Sequence, residues 1–290
     1  MKKKIEPYLY LLPGLIILAV FVFYPIIRNL GYSMLSWDLF KGTKKFIGLH
    51  NYSKLFQNKI FLTALKNNIY YIIISLIFQV GFSLILAGIL ENMKNKRLSA
   101  VFRTTFFVPS LISLTVIGLL FTFIYQPTGL LNAILDAVHL SGLKHGWIGE
   151  EGTAIFSVIA VSQWKSIGYT MMLLIVAIQR IPEEMNEAAL LDGAGGVKRF
   201  FYITVPNIKD TILMTFIITT SGGFLIFNEV YVITGGGPSQ SSEVMSTLMY
   251  DYAFVHGKIG YSSAIGTIIL LFSMIIAALQ SGIFKSRGKN

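Results

Sequence analysis

Six apolar stretches, each of roughly twenty residues or more, recur along this chain of 290 residues, at about 8–30, 69–90, 101–125, 153–181, 208–233 and 262–284. A helix needs about 20 such residues to cross about 30 Å of hydrocarbon, so each stretch is long enough to span a bilayer. In lipid the backbone must satisfy its own polar groups, which leaves only helices and closed barrels. No strand-like alternation runs through the stretches, and the sequence therefore predicts an all-α membrane protein with six transmembrane helices. A composition that is 54% hydrophobic and 13% charged fits that class and no ordinary soluble domain. Gly118 in the third stretch and Ser221–Gly223 in the fifth are the positions where kinks are expected.

The first stretch follows Lys2, Lys3 and Lys4, as the core of a secretory signal would. Its apolar part is too long for such a core and no small-x-small site follows it, so it reads as a retained helix. Basic residues then set the orientation. Lys2–Lys4, then Lys94, Lys96, Arg97 and Arg103, then Arg180, Lys198, Arg199 and Lys209, and finally Lys285, Arg287 and Lys289 all fall on one side, which the positive-inside rule makes cytoplasmic. Both termini are then cytoplasmic. The first outer loop runs against the rule, with Lys41, Lys44, Lys45, Lys54, Lys59 and Lys66. The chain divides into an N-terminal helix with this basic loop (1–68), a five-helix core (69–284) and a short cytoplasmic tail (285–290).

A net charge of +10 would raise nucleic acid as a partner for a soluble protein. Here the basic residues flank helices, where they fix topology and meet anionic lipid. The absence of cysteine removes disulfides, thiolate metal sites and cysteine nucleophiles. Neither "HGKI" nor "RGKN" completes a phosphate-binding G-x-x-x-x-G-K-[ST] loop, so the chain is not expected to bind ATP itself. His50, His139, His145 and His256 lie in loops without metal-ligand spacing. No catalytic constellation is left, and an enzyme is not expected.

Polar residues inside a membrane are costly unless they face a cavity or a partner. The fourth stretch carries Gln163, Trp164, Lys165, Ser166, Tyr169 and Thr170 near its middle, and the fifth carries Thr219, Thr220, Ser221, Gly222 and Gly223, with Asn228 and Glu229 beyond. The candidate substrate path is Gln163, Trp164, Ser166, Tyr169, Thr220, Ser221, Gly223 and Asn228, since amides, hydroxyls and aromatic faces together suit a sugar. The competing reading of the small residues is close helix packing. Lys165 reads as a salt-bridge or snorkelling residue, and Glu229 as a partner for an outer-loop lysine.

Between the fourth and fifth stretches the chain sets aside 182–206. Pro182 suits a first helical position, and Glu183 and Glu184 put negative charge in the first turn, where the helix dipole favours it. A short helix then runs to Asp192, with Gly193 just past its end. Its Met185, Ala188, Ala189 and Asp192 share a face of small residues that another surface can approach, or that can lie at the lipid interface.

"EAALLDGAGGVKRFFYITVP" resembles the EAA loop of the membrane subunits of binding-protein-dependent ABC importers, through Glu187, Ala188, Ala189, Gly193, Ile203 and Pro206. Val205 stands where that family usually has leucine. "FIGLHNYSKLF", "FLTALKNN", "FRTTFFVPSLIS", "GLLNAIL" and "VYVITGGGPSQSSEVMSTLMYDYAF" extend the resemblance to the carbohydrate-importing branch, which includes maltose, multiple-sugar and glycerol-phosphate permeases. The resemblance implies the type I ABC importer permease fold, with the EAA loop as a cytoplasmic coupling helix. It implies a bacterial cytoplasmic-membrane subunit of an ATP-driven sugar importer, with an oligosaccharide as the expected solute. The implied partners are a second homologous permease, two copies of an ABC ATPase and an extracytoplasmic solute-binding protein, with lipid around them and no nucleic acid. No cofactor is expected on this chain; ATP and Mg would sit on the ATPase. Glu187, Ala188, Ala189, Asp192, Gly193, Ile203 and Pro206 become the coupling residues, and "TGGGP" (Thr234–Pro238) a tight turn on the outer face. The basic outer loop leaves room for an acidic saccharide. The alternatives are a self-contained channel or secondary carrier and, more distantly, a membrane-embedded enzyme.

Overall fold

A computed structural model describes residues 6–287, with side chains from 10 to 282. Lys2–Lys4 and Lys289, and the side chains of Lys285 and Arg287, lie outside the described residues. Among the described residues, four helices are long and apolar enough to cross a bilayer unaided: Tyr10–Ser33, Lys59–Asn92, Ala154–Ile178 and Ile259–Gly282. Two bent pairs complete the six spans, Lys96–Leu111 with Leu114–Ile124 at 97° and Gly196–Asn207 with Lys209–Leu225 at 73°.

The breaks do not fall where glycine pointed. Gly118 and Ser221–Gly223 are inside regular helix. The third span breaks instead at Ile112 and Ser113, both extended, three residues after Pro109. Proline removes a helical donor and crowds the preceding turn. The fifth bends at Ile208, two residues after Pro206, and leaves the helix again at Ile226 before the short helix Asn228–Ile233. The glycines serve packing: a Cβ on Gly118 would meet Val232 at 2.6 Å, and one on Gly223 would meet Ile72 at 2.4 Å. Pro25, like Pro206, follows a short π-helical segment, Ala19–Phe23 before the first and Phe200–Thr204 before the second. The wider turn relieves the clash that a proline ring makes with the carbonyl four residues before it.

The chain divides into two compact units, Met1–Phe61 with Leu248–Leu271 and Leu62–Thr247 with Phe272–Asn290. In the first unit the span Tyr10–Ser33 leads into a feature that the sequence reading missed, an antiparallel hairpin of Leu35–Asp38 and Thr43–Phe46, with Leu35 opposite Phe46. The buried Asn51 holds its root, donating to the carbonyls of Ser33 (2.7 Å) and Leu35 (2.9 Å). Gly260 is a glycine because the Leu35 carbonyl oxygen would lie 1.8 Å from any Cβ there. Lys44, one of the loop lysines, stacks over the Trp37 ring at 4.0 Å.

The second unit has two apolar cores. One gathers Ile117, Ile155, Val158, Ile159, Val161, Val230 and Ile233; the other gathers Val80, Ala87, Leu90, Met171, Leu174, Ile175 and Ile212. The fourth span thus packs its beginning into one core and its end into the other. Polar ties close the gaps between spans. Glu91 takes Arg103 at 2.6 Å and the Gln179 amide at 3.2 Å, joining the second, third and fourth spans. Asn68, wholly buried, donates to the Gly223 carbonyl (2.6 Å) and accepts from the Met245 amide (2.9 Å).

Candidate functional site

The middle of the fourth span opens onto a cavity of about 420 Å³ within the second unit. Ser166, Tyr169, Thr170 and Leu173 line it from the fourth span; Thr215, Thr219, Gly222 and the segment 225–229 line it from the fifth. Tyr71 and Gln79 complete the wall from the second span, and Leu114 from the third. Of the path residues expected from the sequence, Ser166, Tyr169 and Asn228 face this space.

The others lie outside the wall. Gln163 is buried and donates to Ser75 Oγ at 3.0 Å, and Trp164 packs against Phe121 with ring centroids 5.4 Å apart. Thr220 donates to the Phe216 carbonyl and accepts from Gln280 at 2.9 Å. Gly223 gives its carbonyl to Asn68, and Ser221 is half-buried on the same helix. Tyr71, Gln79 and Thr215 were missed. A lone glutamine in the apolar run "SLIFQVGF" was the signal for Gln79, since an amide amid such residues needs a partner. Glu229 lies in the field of Lys165 of the fourth span and, among the described residues, forms no ion pair with an outer-loop lysine.

The loop between the fourth and fifth spans holds the helix Glu183–Leu191. Pro182 sits one position earlier than expected, as its extended N-cap, and Glu183 and Glu184 form the acidic first turn. The end is a Schellman stop: Gly193 N–H donates to Leu190 and Ala194 N–H to Ala189, with Gly193 at φ +74°. Glycine takes that left-handed conformation without the Cβ clash of other residues. Asp192 is the C-cap.

Glu187, Ala188, Asp192 and Gly193 are exposed, whereas Ala189 turns inward and is buried. The outward apolar surface is made instead by Leu190, Leu191 (90% exposed) and Val197 (73% exposed). At the end of the loop Ile203 is half-buried and Pro206 exposed, in the helical run that precedes the 73° bend. A separate turn carries "TGGGP". Gly235 and Gly236 both have positive φ, Ser242 donates to Thr234 Oγ1 at 2.8 Å, and Asn67 holds the carbonyls of Ser241 and Glu243.

Both the sequence and the fold of this chain match known proteins. Residues 79–287 match the family described as binding-protein-dependent transport system inner membrane component. The chain belongs to that family. As a permease of this family it is 48% identical to the probable ABC transporter permease protein YurN of Bacillus subtilis, over 98% of each chain. It is 32% identical to the arabinooligosaccharides transport system permease protein AraP of the same organism, over 99% of this chain and 91% of that one. The lactose transport system permease protein LacF of Rhizobium radiobacter is 31% identical over 95% of this chain and 93% of its own. Among solved structures, a bacterial alginate ABC transporter in complex with an alginate pentasaccharide-bound periplasmic protein superposes with a TM-score of 0.86, over 100% of this permease and 99% of that chain. At 22% identity that likeness establishes the fold.

Proposed function

We propose that this permease is the membrane-spanning subunit of an ATP-driven saccharide importer, with the cavity on the solute's path and the helix Glu183–Leu191 as the seat of a separate ATPase. The observation that carries the reading is that helix. It is stopped at Gly193 by two backbone hydrogen bonds, and Leu190 and Leu191 at its end, with Val197 beyond, expose apolar surface of the kind that a docking partner covers. The saccharide is supported by the names of the relatives, arabinooligosaccharides and lactose among them, and by a wall of hydroxyls, two amides and aromatic faces. The remaining partners are a second permease, a second copy of the ATPase and an extracytoplasmic solute-binding protein, with ATP and Mg on the ATPase and no cofactor on this chain. Both termini face the cytoplasm of a bacterial cell. Closure of the ATPase pair on ATP then moves the loop, and the loop swings the spans between inward- and outward-facing states.

Two substitutions test the coupling. Glu187→Lys reverses the charge on the exposed face, and Gly193→Pro imposes a negative φ where the chain has +74° and deletes the donor to Leu190. Each variant is expected in the membrane at parental level, with ATP hydrolysis no longer stimulated by solute and uptake lost. Parental uptake and stimulated hydrolysis in both would refute the coupling role.

A further inference from the structure

The cavity wall has one charged residue, and it is an acid. Glu229 lines the space together with Gln79, Ser166, Tyr169, Thr170, Thr215, Thr219, Phe227 and Asn228, and no lysine, arginine or histidine joins them. It stands in the first turn of the helix Asn228–Ile233 and lies in the field of Lys165. Among the described residues it makes no ion pair. Two carboxylate oxygens offer about four lone-pair sites, so most of the acceptor capacity of Glu229 points into a space built for a solute. Thr215 already donates to the Ile212 carbonyl, and Gln79 donates to Ser75 at 3.5 Å. Ser166, Thr170, Thr219 and Asn228 keep their side-chain polar groups for the cavity, with no hydrogen bond to the described residues.

We propose that Glu229 sets the charge class of the solute, admitting saccharides without an acid group and disfavouring uronic-acid saccharides. This rests on the importer reading above. Hydroxyl or ammonium groups on the solute donate to the carboxylate in charge-assisted bonds, which are about twice as strong as neutral ones. A carboxylate on the solute would instead share a cavity of low dielectric with a like charge and find no cation on the wall to pair with. The basic loop between the first two spans therefore does not predict an acidic solute. The fold is shared with a transporter of the acidic polysaccharide alginate, and the shared fold carries no charge preference with it.

The test uses the complete transporter, reconstituted without the solute-binding protein so that only the permease discriminates. Lactose, arabinotriose and maltotriose serve as neutral probes, deacetylated chitobiose as the amine probe and digalacturonate as the acidic one, with binding read by isothermal titration and by displacement of the best probe. In the parental transporter the best neutral or amine probe is expected to bind at least tenfold more tightly than digalacturonate. Glu229→Gln is expected to close that gap by about tenfold, as loss of a charge-assisted bond and of a like-charge repulsion requires, and Glu229→Asp to restore it. Equal binding of digalacturonate in the parent, or a gap unchanged in Glu229→Gln, overturns the proposal and leaves the importer reading intact. Failure of every probe to bind, and to be taken up when the solute-binding protein is added, overturns the saccharide reading itself and this proposal with it.

Discussion

At Gly168 two spans approach backbone to backbone, which supports a quantitative prediction. A methyl group at that position would lie 1.8 Å from the Phe106 carbonyl oxygen, 2.4 Å from its carbon and 2.9 Å from the Phe107 Cα. Ordinary contact begins at 3.4 Å, so Gly168→Ala requires Lys96–Leu111 and Ala154–Ile178 to part locally by 3.4 − 1.8 = 1.6 Å. The obstructing atoms are backbone, so no rotamer change relieves them. Nearby the bond from Ser83 Oγ to the Ile167 carbonyl (2.9 Å) opposes any retreat of the fourth span. Overpacking costs about 1–3 kcal/mol, and a separation of that size also forfeits more than half of the dispersion at the seam, which places the substitution at about 3 kcal/mol or above. Gly222→Ala is the control, with the same chemistry in a regular helix and nothing within 4 Å of the added methyl. It should be neutral or stabilising by about 0.5–1 kcal/mol, the helical glycine-to-alanine difference. The assay is the temperature at which half of the detergent-purified protein remains monodisperse by size exclusion. Gly168→Ala should fall several degrees below the parent while Gly222→Ala does not. Equal stability of the two variants would refute the close approach and the packing argument built on it.

Asn68 offers a second test, since Asn68→Ala strands the Gly223 carbonyl and the Met245 amide in a dry interior. At about 1–3 kcal/mol for each unsatisfied group, the same thermal assay should show a loss as large as that of Gly168→Ala, and Asn68→Asp, which cannot donate to the carbonyl, should not rescue it. The third lies in the segment between the third and fourth spans, where the Gly146 amide (2.6 Å), followed by the His145 ring (3.0 Å), holds the Glu150 carboxyl below its ordinary value of 4.5. A lowered carboxyl pKa gives a contribution that is complete above the ordinary value and lost as pH falls through the folded one. Acid titration of Trp147 emission should therefore show a step below pH 4.5 in the parent that Glu150→Gln lacks.

The spans were legible because a bilayer imposes one length and one composition on each of them. Their breaks were less so. Glycine in an apolar run suggests a kink, but at Gly118 and Gly223 the missing side chain admits Val232 and Ile72, and the bends follow Pro109 and Pro206 instead. The helix between the fourth and fifth spans was legible almost to the residue, because caps and stops are local: acid in the first turn, glycine at the end. Which of its side chains turn outward was not local, and Ala189 faces the protein while Leu191 does not. The cavity was half legible for the same reason. Ser166 and Asn228 stand out as polar groups in apolar runs, but Tyr71 and Thr215 join them only through the packing of the second and fifth spans against the fourth, which no periodicity within one span encodes.

The central claim is that solute passes through this permease only when a separate ATPase drives it, and proteoliposome uptake tests that most directly. With the partner permease, the ATPase and the solute-binding protein present, a labelled saccharide should accumulate inside against its gradient when ATP is supplied to the ATPase face, and neither omission of the ATPase nor a non-hydrolysable nucleotide should leave any flux. Saccharide entry at the same rate through this chain alone, down its gradient and indifferent to ATP, would mark a self-contained carrier or channel and contradict the account.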